Sequence, residues 1–251
     1  EDSREQQLDV PRFNEAFMMH TSTSPHYGII ASIDVASGMM AGDPGRSLVQ
    51  ETLDEALSFR RAMRQNDEAL EDGEWWFDVW EPEQALLQSQ LRAEDWVLQS
   101  QADWHGFGEL QEDWVLLDPI KVTLLTPGIG EQGRLARSGI PAALVTRFLA
   151  ERGLVVEKTG LYSFLILFSL GITKGKWSTL VAELQEFKRL YDSNTPLELT
   201  LPGIARSGHY RGLGLRDLGE RLHDFFKREK LVSVMRRIYT ELPQMHLRPA
   251  D

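Results

Sequence analysis

The chain has no cysteine among its 251 residues. That excludes disulfides, thiolate catalysis and cysteine-ligated zinc, and it fits a reducing cytoplasm, the expected location. Long hydrophobic runs are also missing. The longest, around Phe164–Ile172, is about half of the ~20 residues that a membrane-spanning helix needs, so no membrane partner is expected. Bases are in deficit, 27 against 38 acids, for a net charge of −11. An acidic chain repels phosphate backbones, so nucleic acid is not an expected partner either. The densest basic stretch, Lys227-Arg228-Glu229-Lys230, contains an acid and reads as a solvated helix face. No initiator Met opens the chain, and no basic and apolar leader follows Glu1-Asp2-Ser3. The expectation is an excised piece of a longer protein without a signal peptide.

What is present is enough to fold. Hydrophobic residues make up 42% and charged residues 26%, which excludes disorder for most of the chain. Residues 1–11 are polar and expected to fray. Arg12–His20 reads as a short helix that breaks at Thr21-Ser22-Thr23-Ser24-Pro25, because proline disfavours helix in the residue before it. Ser24 as N-cap and Pro25 as the first helical residue would open a second helix reaching about Met40. That helix is apolar nearly all round and is expected to be buried. Asp43-Pro44-Gly45 reads as a turn, and Arg46–Arg64 as an amphipathic helix with Leu53, Ala56, Leu57, Arg60 and Met63 on one stripe. A boundary is placed in the acidic stretch Gln65–Glu74, giving segments 1–70 and 71–251.

The second segment mixes strands and helices. Trp75–Trp80, Ile120–Thr126, Leu154–Val156 and Tyr162–Leu170 read as strands. Two copies of Glu-Asp-Trp-Val-Leu, at 94–98 and 112–116, read as two short strands, and Pro82–Ala93 is ambiguous. A helix opens at Pro141 and closes at Gly153; Lys176–Tyr191, Asp217–Arg228 and Leu231–Leu242 follow. This order implies an α/β (α+β) fold in which a small sheet is covered by helices.

Four motifs bear on chemistry. Gly128-Ile-Gly130-Glu-Gln-Gly133 follows a strand, but no helix starts before Pro141, so a flexible loop is read in place of a dinucleotide site. None of the six histidines forms an H-x-x-x-H pair, so no metal site is expected; His105 reads as a packed loop residue. Thr21, Ser22, Thr23 and Ser24 place four hydroxyls before a helix start, where backbone N–H groups and the helix dipole favour an anion. Plain N-capping is the alternative. Glu157 closes an apolar strand; it either receives a cation in a cleft at the sheet edge or pairs on the rim with Lys158 or an arginine.

The segment Phe13-Asn-Glu-Ala-Phe-Met-Met-His20-Thr-Ser-Thr-Ser-Pro25-His-Tyr-Gly28 resembles a signature of the bacterial ornithine/lysine/arginine decarboxylases. These are pyridoxal-phosphate enzymes of the aspartate-aminotransferase fold. The likeness continues through Trp104-His-Gly-Phe107, Leu117-Asp-Pro-Ile-Lys-Val-Thr-Leu-Leu-Thr-Pro-Gly128, Gly139-Ile-Pro-Ala-Ala143, Val155-Val-Glu-Lys-Thr-Gly160 and Phe187-Lys-Arg-Leu-Tyr-Asp192. It covers nearly the whole chain in order and is greatest to the lysine decarboxylases.

The resemblance implies the end of the large domain of a fold-type I enzyme, joined to most of its C-terminal domain. It implies that Thr21, Ser22, Thr23 and Ser24, with Ser22 and Ser24 foremost, hold the phosphate of pyridoxal 5'-phosphate across a dimer interface. It implies that Glu157 receives the distal ammonium of a basic amino acid, a charge-assisted pair. Lysine going to cadaverine and CO₂ is the expected reaction, with ornithine or arginine as alternatives, in a homo-oligomer that shares its active site. In the family the Schiff-base lysine follows Ser-x-His. None of the seven lysines here (Lys121, Lys158, Lys174, Lys176, Lys188, Lys227, Lys230) does so, and no residue of this chain is assigned to the covalent step. A non-catalytic binding or assembly module derived from the family, or half of a split enzyme, are the rival readings.

Overall fold

A computed structural model describes residues 9–22, 24–82, 92–102, 104–110, 115–130 and 133–241. The chain divides into two compact units, Glu1–Val49 and Gln50–Asp251.

In the first unit, α1 spans Val10–His20 and α2 spans Tyr27–Met39. The side chain of Asp9 caps α1 by accepting from the Arg12 N–H, and Pro11 sits in the first turn, where its missing N–H breaks no bond. The cap of α2 corrects the sequence expectation. His26, not Ser24, is the N-cap, and its Nδ1 accepts from the Ile29 N–H at 3.3 Å. Pro25 therefore lies outside the helix. The expected burial of α2 is corrected too: none of its residues is buried, and Ile29, Ile30, Ile33 and Val35 are all more than half exposed. An all-round apolar helix shows that something must cover it, not that the cover lies in the same stretch of chain. The third helix, α3, runs Gly42–Glu68 and takes in Asp43-Pro44-Gly45, which is thus not a turn. Proline is tolerated there for the same first-turn reason as in α1.

In the second unit the strands are β1 (Asp78–Trp80), β2 (Lys121–Leu125), β3 (Lys158–Thr159) and β4 (Ser163–Leu167), in the order β1-β2-β4-β3 with every pairing antiparallel. Alternation along β2 sends Val122 and Leu124 into the core, both at 0% exposure. Leu124 stands opposite the buried Phe164 of β4. The helices α4 (Ala142–Ala150), α5 (Lys174–Asp192), α6 (Leu197–Thr200), α7 (Pro202–Ala205), α8 (Leu215–Arg228) and α9 (Leu231–Thr240) complete the unit. The stripe expected on Lys176–Tyr191 is the buried face of α5: Trp177, Leu180, Val181, Leu184, Phe187 and Tyr191. It packs with Phe148 of α4, whose ring lies 5.2 Å from that of Phe187. Fully burying a side chain of this size contributes about 2–3 kcal/mol. At the end of α5, Asn194 takes a left-handed conformation, and its Oδ1 accepts from the N–H groups of Arg216 and Asp217 at 3.0 and 3.2 Å. One residue thus follows the end of α5 with its backbone and caps α8 with its side chain.

Three strand expectations change. Only residues 78–80 of Trp75–Trp80 pair as a strand. The first Glu-Asp-Trp-Val-Leu copy forms a 3₁₀ turn, Ala93–Trp96, before Val97 bridges Leu116; most of the second copy, and of Pro82–Ala93, lies outside the described residues. Leu154–Val156 is not a strand: its neighbour β3 makes the pairing, two residues later than the apolar run suggests.

Arg60 joins the longest helix to the sheet. Its side chain is fully buried and donates to Glu81 Oε2 at 3.0 Å, to the Pro119 carbonyl at 3.1 Å and to the Lys121 carbonyl at 3.3 Å. Arg64 donates to the other oxygen of Glu81 at 2.9 Å, and the Arg60 guanidinium lies over the Trp96 ring. Burial lowers the Arg60 pKa and raises that of Glu81, against the attraction between them. Removing one partner strands a buried charge. Glu81→Ala is therefore expected to cost about 3–5 kcal/mol, measured as the shift of the urea midpoint followed by tryptophan fluorescence; a loss below about 1 kcal/mol would show that the pair is not a clamp.

Candidate functional site

The hydroxyl cluster lies between α1 and α2. Thr21 Oγ1 donates to the Met18 carbonyl at 3.4 Å. Ser22 Oγ donates to the Ser24 carbonyl at 2.9 Å and accepts from the Ser24 N–H at 3.3 Å, closing a small turn. Thr23 lies outside the described residues. Thr21, Ser22 and Ser24 are all exposed. With the cap taken by His26, the Ser24 hydroxyl has no partner among the described residues. Simple N-capping by Ser24 is thereby removed as the alternative role. What remains is a set of neutral, exposed hydroxyls, two of which donate to backbone carbonyls.

Glu157 belongs to the second unit. It precedes β3, and its N–H donates to the Leu165 carbonyl at 2.9 Å, so the backbone continues the pairing with β4. Among the described residues no ion pair joins its carboxylate to Lys158 or to an arginine, which removes the rim-pair alternative. Glu157 lines a cavity of about 580 Å³ whose walls include Val156, Ile166, Phe168, Ile172, Trp177 and Leu180. Leu154 and Val155 line it as well, so the apolar run read as a strand forms a wall. Ser169, Thr179 and Lys176 line it too, and Glu157 is exposed at its edge. A mostly apolar cavity with a carboxylate on its edge suits a molecule that has a hydrocarbon stem and a positive end.

The other motifs resolve into packing. The loop after β2 opens no helix until α4, and an antiparallel bridge, Ile129 with Leu135, holds it; Glu131 and Gln132 lie outside the described residues. His105 is 6% exposed, with Nε2 2.8 Å from the Gln99 carbonyl and Nδ1 accepting from the Phe107 N–H. It is a packed loop histidine. His223 was given no role by the sequence. It is 1% exposed, and its Nδ1 lies 2.6 Å from the Tyr162 hydroxyl. Tyr162 was read only as the start of a strand, and nothing pointed to a partner 61 residues away. Among the described residues no group of three potential metal ligands occurs, and no helix is long and apolar enough to cross a membrane.

Comparison with known proteins bears on the same residues. The lysine decarboxylase LdcA of Pseudomonas aeruginosa is 60% identical over 253 residues, covering 100% of this chain and 34% of that protein. The constitutive lysine decarboxylase of Escherichia coli is 43% identical over 245 residues, covering 97% of this chain and 33% of that protein. The solved structure of lysine decarboxylase A from Pseudomonas aeruginosa superposes with a TM-score of 0.85 at 61% identity, over 98% of this chain and 33% of that one. The chain thus spans about a third of the length of the relatives it matches. The model of the Orn/Lys/Arg decarboxylase major domain matches residues 2–176, which include both the hydroxyl cluster and Glu157. The chain carrying these two features belongs to the Orn/Lys/Arg decarboxylase family.

Proposed function

We propose that this chain is part of a pyridoxal-phosphate-dependent decarboxylase whose substrate is lysine, released as cadaverine and CO₂. The observation that carries the reading is the unpaired Glu157 carboxylate at the edge of a mostly apolar cavity, within a chain of this family. The apolar walls accept a methylene stem, and the carboxylate selects a positive end. The two lysine decarboxylases at 60% and 43% identity favour lysine over ornithine and arginine. Such a reaction takes up a proton per turnover, which suits polyamine metabolism or acid resistance in the cytoplasm.

Thr21, Ser22 and Ser24 would hold the phosphate of the cofactor, the Ser24 hydroxyl directly and those of Thr21 and Ser22 by rotating away from the Met18 and Ser24 carbonyls. They are exposed neutral hydroxyls, which add donors without competing charge. The reading extends to Thr23 by sequence alone, and it places the cluster at an active site shared between two subunits. Bound pyridoxal phosphate supplies an electron sink for the α-carbon from which CO₂ leaves. Glu157 binds and orients the substrate from its far end; it moves no proton. The lysine that attaches the cofactor is not among the seven here, because none follows Ser-x-His. A non-catalytic module that retains the family's fold is the second reading.

Three outcomes test the proposal. In the complete enzyme, Glu157→Gln is expected to raise KM for lysine by about 10- to 100-fold, the worth of a charge-assisted hydrogen bond, with cofactor absorbance intact; an unaltered KM removes Glu157 from the substrate site. Replacing Ser22 and Ser24 together by Ala is expected to speed loss of the cofactor on dialysis, followed by its visible absorbance. The 251-residue chain by itself, supplied with cofactor, is expected to release no CO₂ from carboxyl-labelled lysine; measurable release would overturn the assignment of the covalent step to other residues.

A further inference from the structure

Tyr162 and His223 are two buried polar side chains that the reading above leaves without a task. Tyr162 is 2% exposed and His223 1%. The tyrosine ring stands edge-on to His223 and to Phe226, at 5.7 and 6.0 Å between centroids. Its hydroxyl lies 2.6 Å from His223 Nδ1, and His223 Nε2 lies 3.1 Å from the Ala136 carbonyl. A carbonyl only accepts, so Nε2 carries a proton. In the neutral ring Nδ1 is then bare, and the Tyr162 hydroxyl donates to it. Burial pushes the Tyr162 pKa up to about 12, which keeps that proton in place at neutral pH.

Two glycines make room for the pair. A Cβ built on Gly139 would lie 2.6 Å from both the Gly128 Cα and His223 Nδ1, and one built on Gly128, where φ is +136°, would meet the Tyr162 ring. Gly139 thus leaves the space of the imidazole and Gly128 that of the phenol ring. His223 thereby joins α8 to two separate segments: the loop after β2, through Ala136, and the β3–β4 hairpin, through Tyr162.

The hairpin carries Glu157. Its strand β3 is two residues long, exposed, and at the sheet edge. Lys158, Thr159 and Gly160 are exposed, whereas Tyr162 is buried. The Tyr162 carbonyl accepts from the Thr126 N–H at 2.9 Å, and the Gly160 N–H donates to the Ser163 carbonyl at 2.7 Å. The Ala142 N–H donates to the Leu161 carbonyl at 2.9 Å, and Thr159 Oγ1 donates to Thr146 Oγ1 at 3.2 Å on the exposed side, so Tyr162 is the buried side-chain anchor of a turn that backbone bonds also hold. Glu157 follows the hairpin through its own bond to Leu165. At the far end of the chain of contacts, the N-terminus of α8 is held by Asn194.

We infer that Tyr162 and His223 form a positioning clamp that sets the Glu157 carboxylate in its cavity, and so governs how tightly the substrate's distal ammonium is held. Neither residue touches the substrate. The inference rests on the reading of Glu157 as the substrate's far-end partner.

Steady-state kinetics of the complete decarboxylase with lysine tests it. Tyr162→Phe keeps the ring and its packing and removes only the hydroxyl. It is expected to raise KM by about 5- to 15-fold, the equivalent of one lost buried hydrogen bond, with kcat within about twofold. His223→Gln retains a donor toward Ala136 but loses the acceptor for Tyr162, and it is expected to behave in the same way. His223→Asn places an amide oxygen near the position of Nδ1 and is expected to recover most of the wild-type KM. In a Glu157→Gln background, Tyr162→Phe is expected to add nothing further. Additive effects in that double variant would overturn the clamp, as would an unchanged KM for Tyr162→Phe in an enzyme whose KM responds to Glu157→Gln. Parallel falls in kcat, KM performance and thermal stability without rescue by Asn would reduce the pair to plain structural support and overturn the inference too. A KM indifferent to Glu157→Gln itself would instead sink the substrate reading, and the clamp's kinetic role with it. Should either histidine variant fail to fold by circular dichroism, Tyr162→Phe alone and in the double variant decides the matter.

Discussion

A buried guanidinium holds the sheet of this protein to its longest helix. Arg60 reaches from α3 to the end of β1 through Glu81, and to the start of β2 through two backbone carbonyls. Desolvating such a group is costly, and the charge is tolerated because its donors meet carboxylate and carbonyl oxygens. Everything that follows from the sheet depends on this seat. The register of β2 places β4, β4 places the two-residue β3, and β3 places Glu157. Glu157 thus stands at the end of a succession of pairings whose first member is electrostatic rather than apolar.

The two candidate features lie in different units of the chain and differ in chemistry. The hydroxyls of Thr21, Ser22 and Ser24 are neutral and open to solvent. Glu157 is an exposed carboxylate at the edge of a mostly apolar cavity that Lys176 also lines. Neutral hydroxyls and a carboxylate favour ligand groups of opposite charge.

Elements whose signal is local were legible in the sequence. The stripe of α5 is spaced so regularly that the helix expected at Lys176–Tyr191 is observed at Lys174–Asp192. The β-branched run at Ile120–Thr126 became β2 almost residue for residue. Failures came where a distant or unexpected partner decided the outcome. Ser24 is a better intrinsic cap than His26, yet the histidine ring folds back on Ile29 and takes the position. Leu154–Val156 is as strand-like as β2, but no neighbour pairs with it, and it became a cavity wall. Arg60 was read as one member of an apolar stripe, which placed it inward correctly, although nothing local named Glu81 as its partner. Of the candidate site, residue types and positions were readable; the freedom of Glu157 from Lys158 and the link from Tyr162 to His223 needed three dimensions.

The all-apolar α2 has a practical corollary. Isoleucine, valine and methionine side chains facing water on every side make a surface on which solvent ordering is relieved whenever two such surfaces meet. For this stretch of polypeptide handled alone, colloidal behaviour and not unfolding sets the working ceiling. Turbidity would rise with concentration and with warming while the helices and the sheet remained intact.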